Sequence, residues 1–254
     1  MRLILVPMCC IALLMSLRRI LFYPSKGFSL VEMAVVLVIL GLLLAGLFRP
    51  LSAQLEQRNY AQTQNMLDAS KESLLGYAII NGRLPCPASA LSNGIEDPVG
   101  GGICNHAYDG FLPAVTLGLA PTDADGYALD GWSNSAANRI RYALTTANNQ
   151  AFSTNITSLT LMPDLRVCAS GASITASACG SGVPVLANAA VAVLFSLGKN
   201  AATAVSNVDE AANADNNPTF VNHELTTSFD DQLTWISYPV LAGRLVSAGK
   251  LPNP

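Results

Sequence analysis

The sequence predicts an α+β chain, with one long N-terminal helix whose second half packs on an antiparallel β-sheet. Three observations predict it. Residues 28–48, "FSLVEMAVVLVILGLLLAGLF", are a mostly apolar run with Glu32 as the only charge, and apolar residues then recur near helical spacing: Leu51, Leu55, Met66, Leu67, Leu74, Leu75 and Ala78. "NGRLPCP" (81–87) stops that pattern, because Asn81-Gly82 is a C-cap signal and Pro85 and Pro87 forbid continuation. Beyond it lie four short β-branched or aromatic runs, each bounded by turn residues, with no helix of crossover length between them. Such a division, one helix and then strands, is the layer pattern of an α+β domain.

In chain order, the helix is expected from about Phe28 to about Ile80, about 80 Å long at 1.5 Å per residue. Pro50 predicts a kink within it. Residues 88–135 contain "GGGICNHAYDG" and "PTDADGYALDGW" and read as long loops with short elements. Strands are expected at "NRIRYALT" (138–145), "ITSLTLM" (156–162), "VAVLFSLG" (191–198) and "QLTWIS" (232–237). "PVLAGRLVSAG" (239–249) reads as a short terminal helix.

Of the 254 residues, 51% are apolar and 12% charged, about half the charge content of an ordinary soluble domain. Residues 1–27 hold four of the 14 basic residues and none of the 17 acidic ones, so the remainder carries −7. A surface of that sign argues against nucleic acid as a partner, since phosphate contacts need a basic face. Arg139 and Arg141 are the close basic pair. Cys9 and Cys10 lie in the leader region, whereas Cys86, Cys104, Cys168 and Cys179 lie in the domain. Four cysteines outside the cytoplasm read as two disulfides. Three pairings exist; Cys86–Cys104 with Cys168–Cys179 closes the shortest loops, and free thiols are the alternative. Zinc-like spacing is absent.

Residues 28–48 are long enough for one helical crossing of a bilayer. Arg2, Arg18, Arg19 and Lys26 precede them, which keeps the N-terminal side cytoplasmic and sends the domain across the membrane. A carboxylate at Glu32 is costly in such a place unless it reaches the headgroups or meets a cation. A cut between Gly27 and Phe28 would create that cation, an α-amino group four residues before Glu32. "KGFSLVEMAVVLVILGLL" resembles the N-terminal signature of type IV prepilins and type II secretion pseudopilins. The resemblance covers about 20 residues and is carried by Lys26, Gly27, Phe28 and Glu32. It implies that a prepilin peptidase cuts after Gly27 on the cytoplasmic face and methylates the new N-terminus at Phe28. It also implies that Glu32 neutralises the N-terminal amine of an adjacent subunit during assembly. "NGRLPCP", "NRIRYAL", "LFSLGKN" and "DDQLTW" look like segments of larger pilin-like proteins.

The organisation expected is therefore a cleaved leader (1–27), a transmembrane helix segment (28–48), its amphipathic continuation (49–80) and a pilin-like domain (81–254). Prepilin leaders are short and basic, and "MSLRRILFYPSKG", opening at Met15, fits that pattern better than the 27 residues from Met1. Translation is expected to start at Met15, which would exclude Cys9 and Cys10.

Candidate chemistry is sparse. "DADGYALD" sets Asp123, Asp125 and Asp130 near Gly126 but has Asn134 where a calcium loop needs Glu, so a solvated turn is the better reading. A second acidic set comprises Asp209, Glu210, Asp215, Asp230 and Asp231. The resemblance raises calcium there, because some pseudopilins bind it in a late loop; otherwise no cofactor is expected. His106 and His223 are the two histidines, no GxSxG occurs, and "GGG" at 100–102 lacks a following GK[ST], so the chain is not expected to be an enzyme. Lys199 in "SLGKN" reads as a turn charge.

The expected role is structural: a subunit, leaning toward a minor one, of a type IV pilus or type II secretion pseudopilus. Its partners would be the prepilin peptidase, other pilin or pseudopilin subunits, an inner-membrane assembly platform and membrane lipid. It would cross the inner membrane once, with the domain periplasmic, and become extracellular in the fibre. The alternative is a membrane-tethered binding module that recognises a secreted substrate, a surface or DNA through residues 88–254.

Overall fold

The computed structural model describes residues 27–132, 135–203 and 207–251; the side chains of 45–51 also lie outside the description. The expectations about Met15, Cys9, Cys10 and Lys26 therefore fall outside the described residues. The chain forms two units, a first ending at Ser52 and a second of Ala53–Pro254. The element α1, Leu30–Asn81, runs through both.

In the first unit every described side chain from Phe28 to Leu44 is exposed, including Leu30, Val31, Leu37, Leu42 and Leu43. Among the described residues no helix is long and apolar enough to cross a membrane. Leu30 to Leu44 covers roughly 22 Å of helix, short of a hydrocarbon core of about 30 Å, and the expected crossing continues into residues whose side chains are not described. The kink expected at Pro50 falls in that same stretch.

The second unit is α+β. The C-terminal part of α1 buries Thr63, Leu67, Ser70, Leu74, Leu75 and Ala78, a stripe at three- and four-residue intervals. Its two polar members are satisfied locally: the Thr63 hydroxyl donates to the Asn59 carbonyl at 2.9 Å and the Ser70 hydroxyl to that of Met66 at 2.6 Å. Gly82, at φ +69°, ends α1 in the left-handed conformation that glycine adopts without a Cβ clash. Gly131 is needed for a different reason. A Cβ there would strike the Asn59 carbonyl, so the loop can lie on α1 only with glycine.

Among the described residues the sheet has five strands: β1 (Arg141–Leu144), β2 (Leu165–Cys168), β3 (Val185–Ser196), β4 (Thr219–Val221) and β5 (Gln232–Ser237). β3 is its hub. It pairs antiparallel with β1 over 192–195, with β5 over 190–196 and with β2 over 185–190. Residues 190–196 of β3 are buried on both faces. One face carries Tyr142, Leu144, Ala192, Leu194 and Ile236, packed with the α1 stripe and with Leu241 and Leu245 of α5 (Tyr238–Ser247). The other carries Ala143, Val193, Phe195, Leu165, Val167, Phe220 and Leu233.

Several expectations are corrected. Residues 156–162 are not a strand. The Ser158 hydroxyl accepts from the Thr160 N–H at 3.1 Å, a local bond that competes with a ladder, and Pro163 follows. The strand comes just after, as β2. β1 begins at Arg141, after a 3₁₀ turn at Ala136–Asn138. β3 begins six residues earlier than the β-branched run, at Val185 rather than Val191, because pairing with β2 holds its weakly β-forming start. Nor is the sheet wholly antiparallel: β2 and β4 run parallel, Arg166 opposite Thr219 to Cys168 opposite Val221. The chain between them is long enough for the crossover, because it contains β3 and a helix the sequence reading missed, α4 (Val208–Ala214). Among the described residues the remaining α-helices are α2 (Ala114–Leu117) and α3 (Ala147–Thr154).

Disulfides join Cys86 to Cys104 and Cys168 to Cys179, with Cα separations of 5.3 and 5.7 Å. The first closes the loop that carries Glu96, which forms an ion pair with Arg83 just before it. Arg83 Nη1 and Nη2 each donate to Glu96 at 2.8 Å, and the same carboxylate accepts from the Tyr77 hydroxyl and from the N–H groups of Cys86 and Gly100. Burial alone would raise the Glu96 pKa; the Arg83 guanidinium and those N–H groups hold it below the ordinary range. Glu96→Ala strands a buried guanidinium and is expected to cost about 3–5 kcal/mol. Urea unfolding of the disulfide-intact chain measures it, and a loss below about 1 kcal/mol would remove this pair from the account of the fold.

Candidate functional site

Gly27, Phe28 and Ser29 precede the first turn of α1 in non-helical backbone, and Phe28 is 80% exposed. Ser29 is the N-cap: its carbonyl accepts the first helical bond, from Met33 N–H at 3.2 Å. Ser29 and Glu32 then satisfy each other. The Ser29 hydroxyl accepts from the Glu32 N–H at 3.2 Å, and Glu32 Oε2 accepts from the Ser29 N–H at 2.8 Å. This is a capping box, a serine followed three positions later by glutamate. It turns the Glu32 carboxylate back toward the chain start, where an amine on Phe28 would lie one residue away. The Ser29-x-x-Glu32 spacing was legible in the sequence; sequence reasoning considered the glutamate and passed over its cap.

Residues 24–48 match a family described as the prokaryotic N-terminal methylation motif. This chain carries the prepilin-type signature. It supports a type IV pilin or pseudopilin-like subunit, anchored to a membrane, and implies processing by a peptidase and assembly with other pilin subunits. No curated protein and no solved structure matches the chain.

The domain's acids fall into separate groups. Asp123 and Asp125 are held by Arg139, whose Nε donates to Asp123 Oδ2 at 2.7 Å and whose Nη2 donates to Asp125 Oδ2 at 2.6 Å. The guanidinium also lies 4.1 Å from the Tyr127 ring centroid. A cation is thus already built into the loop that superficially resembled a calcium site. Asp130 is elsewhere, buried, accepting from the Ser196 hydroxyl at 2.6 Å and the Trp132 N–H at 2.9 Å. Burial raises its pKa against those bonds.

Glu210, Asp230 and Asp231 do come together, one carboxylate oxygen from each lying within 4.8 Å of the others. Asn207 caps α4, accepting from the Asp209 and Glu210 N–H groups, and so aims Glu210 inward. Glu210 accepts from the Asn200 amide, and Asp231 Oδ2 from the Asn213 amide at 2.8 Å. Asp230 Oδ2 accepts from the Lys199 N–H at 3.0 Å, while its Oδ1 is buried without a partner. Burial pushes the Asp231 carboxyl up to about 7, the Asn213 bond working against it and the charges of Glu210 and Asp230 with it. Asp230 is raised too, first by burial. Three hard oxygen donors with an orphaned Asp230 Oδ1 fit a calcium ion, which would supply the missing positive charge. Asp215 is spent on Asn217, and Asp209 stands apart from the cluster.

Asp209 accepts from the Ser170 hydroxyl at 3.0 Å and lies 3.3 Å from His223 Nε2. The carboxylate stands between hydroxyl and imidazole, so that histidine is not set to take the serine's proton. His106 Nδ1 lies 3.3 Å from Asp109 Oδ1. Lys199, read as a turn charge, pairs with Glu56 of α1 at 2.5 Å.

Proposed function

We propose that this chain is a structural subunit of a type IV pilus or type II secretion pseudopilus, of the minor class. A prepilin peptidase cuts after Gly27 and methylates the amine of Phe28, and Glu32 then guides docking by meeting the amine of a neighbouring subunit. Before assembly the chain crosses the inner membrane once, with the domain on the periplasmic side. Neither catalysis nor a cofactor is required for this role.

One observation carries the reading: the methylation motif lies on a helix start whose side chains from Phe28 to Leu44 are all bare. So much exposed apolar surface must be covered, first by lipid and then by the same helices of other subunits. Lipid supplies no hydrophobic drive between helices, so a polar pair sets which helices associate and in what register. The test is shearing of surface fibres. The processed chain is expected in the sheared fraction of wild-type cells and in the membrane fraction of cells lacking the prepilin peptidase. A chain that stays in the membrane in both would argue for a tethered binding module instead. That second reading draws on a hollow of about 210 Å³ beside Arg141 in the domain.

A further inference from the structure

Three arginines are largely buried in the domain, and two of them face carboxylates: Arg83 meets Glu96, and Arg139 meets Asp123 and Asp125. Arg141 is the exception. Among the described residues it makes no ion pair. Its Nη1 donates to the backbone carbonyl of Asp109 at 3.0 Å, and its Nε is buried with no acceptor. The Asp109 carboxylate itself is turned to His106.

The surroundings fix this guanidinium in place. Arg141 opens β1 opposite Phe195, and its side chain lies 4.5 Å from the Phe111 ring centroid. Phe111 is in turn pinned to Ala88 by reciprocal backbone bonds of 2.8 Å. Arg141 and Asp109 together line two hollows. One, of about 210 Å³, is completed by Ala88, Ser89, His106 and Phe111 among others; the second, of about 40 Å³, lies toward Tyr108 and Asn213. Burial lowers the Arg141 pKa, but an arginine keeps its charge at neutral pH. The result is a preorganised cation that makes no ion pair among the described residues, with the nearby Asp109 carboxylate turned to His106, bordering open space.

We propose that Arg141 is the anchor of a binding site for a small carboxylate. A carboxylate presents two coplanar acceptors that match two parallel N–H donors of one guanidinium. A phosphoryl group is the poorer match, because it brings more negative charge to a site with a single arginine and the Asp109 carboxylate at its border. Size limits the ligand as well. The larger hollow is below the roughly 300–1,000 Å³ that encloses a drug-sized molecule, so it takes a small free acid or the end of an aspartate or glutamate side chain. The site belongs to the domain and does not depend on the chain's entry into a fibre.

The test uses the full chain in detergent, labelled with ¹⁵N at arginine, titrated with sodium acetate at constant ionic strength. The Nε–H signal of Arg141 is assigned by its loss in Arg141→Lys or, should that variant not fold, by its contact with the Phe111 ring. That signal is expected to move saturably, while those of Arg83, Arg139 and Arg166 stay in place. Acetamide, neutral and of the same shape, is expected to leave it unmoved. A capped peptide with one aspartate distinguishes the sources: movement with acetate and peptide assigns the site to an acidic side chain, movement with acetate alone to a free acid. Movement of Arg141 no greater than that of Arg166, or equal with acetate and chloride, would mean an adventitious ion only and would overturn the proposal.

Discussion

Glu32→Ala is expected to leave cleavage after Gly27 intact and to reduce entry into fibres by roughly tenfold or more. In this account the mature N-terminus carries an amine within an apolar helix bundle, and Glu32 is the counter-charge. An amine left unpaired there is expensive, whereas the methyl side chain of alanine costs the helix nothing. The capping box refines the expectation. The Ser29 N–H, which alanine keeps, holds the carboxylate toward the chain start, so Ser29→Ala should lower fibre entry less than Glu32→Ala, and Glu32→Gln should keep the cap's hydrogen bond but not the charge pairing. Counting the processed chain in sheared fibres of each variant separates these effects. Normal fibre entry of Glu32→Ala would remove the pairing from the mechanism.

Asp231→Asn is expected to stabilise the domain most at pH 8, by much less at pH 5, and hardly at all below about pH 4. The folded carboxyl titrates at about 7, against an ordinary value of 3.8. The folded state therefore keeps a proton that the unfolded chain has lost. Stability associated with this group is fully present below about pH 4 and is lost as pH rises through about 7. At about 1.4 kcal/mol per unit, the loss above pH 7 approaches roughly 4 kcal/mol. Asparagine matches the protonated acid in shape and can still accept from Asn213. The opposite limb belongs to Glu96, Asp123 and Asp209, whose pKa values are held down and whose contributions are lost as pH falls through the acid range. Urea midpoints of both proteins at pH 5, 6.5 and 8 measure the slope, and parallel profiles would contradict it. Calcium enters the same experiment. An ion held by Glu210, Asp230 and Asp231 favours the charged form and should flatten the wild-type slope while leaving Asp231→Asn unaffected.

What the sequence disclosed follows from the range of the interactions involved. α1 and β5 were legible because each is specified within its own run: the apolar stripe and the Gly82 stop for one, the β-branched and aromatic residues of "QLTWIS" for the other. "ITSLTLM" carried the composition of a strand, but Ser158, Thr160 and Pro163 settle it locally as a turn. The start of β3, "VLANAA", has little β-propensity of its own and is held by β2, a partner that only the folded chain supplies. α4 was missed although Asn207 and Glu210 spell an N-cap signal, because seven residues leave too little periodicity to notice. In the sites the same division holds. Gly27, Phe28 and Glu32 form a contiguous motif and could be named. Arg139 on Asp123 and Asp125, or Glu210 beside Asp231, join segments far apart in sequence, so the residues were visible as candidates but their pairing was not. That Arg141 makes no ion pair among the described residues could not be read at all until the neighbours were in place.

The central claim is that this chain is processed as a prepilin. The most direct measurement is mass spectrometry of its N-terminal peptide from native membranes, with and without the prepilin peptidase. The account predicts a chain that begins at N-methylated Phe28 in wild-type cells and an uncut precursor when the peptidase is missing. A leader retained in wild-type cells would contradict it, since Glu32 would then have no new amine to meet.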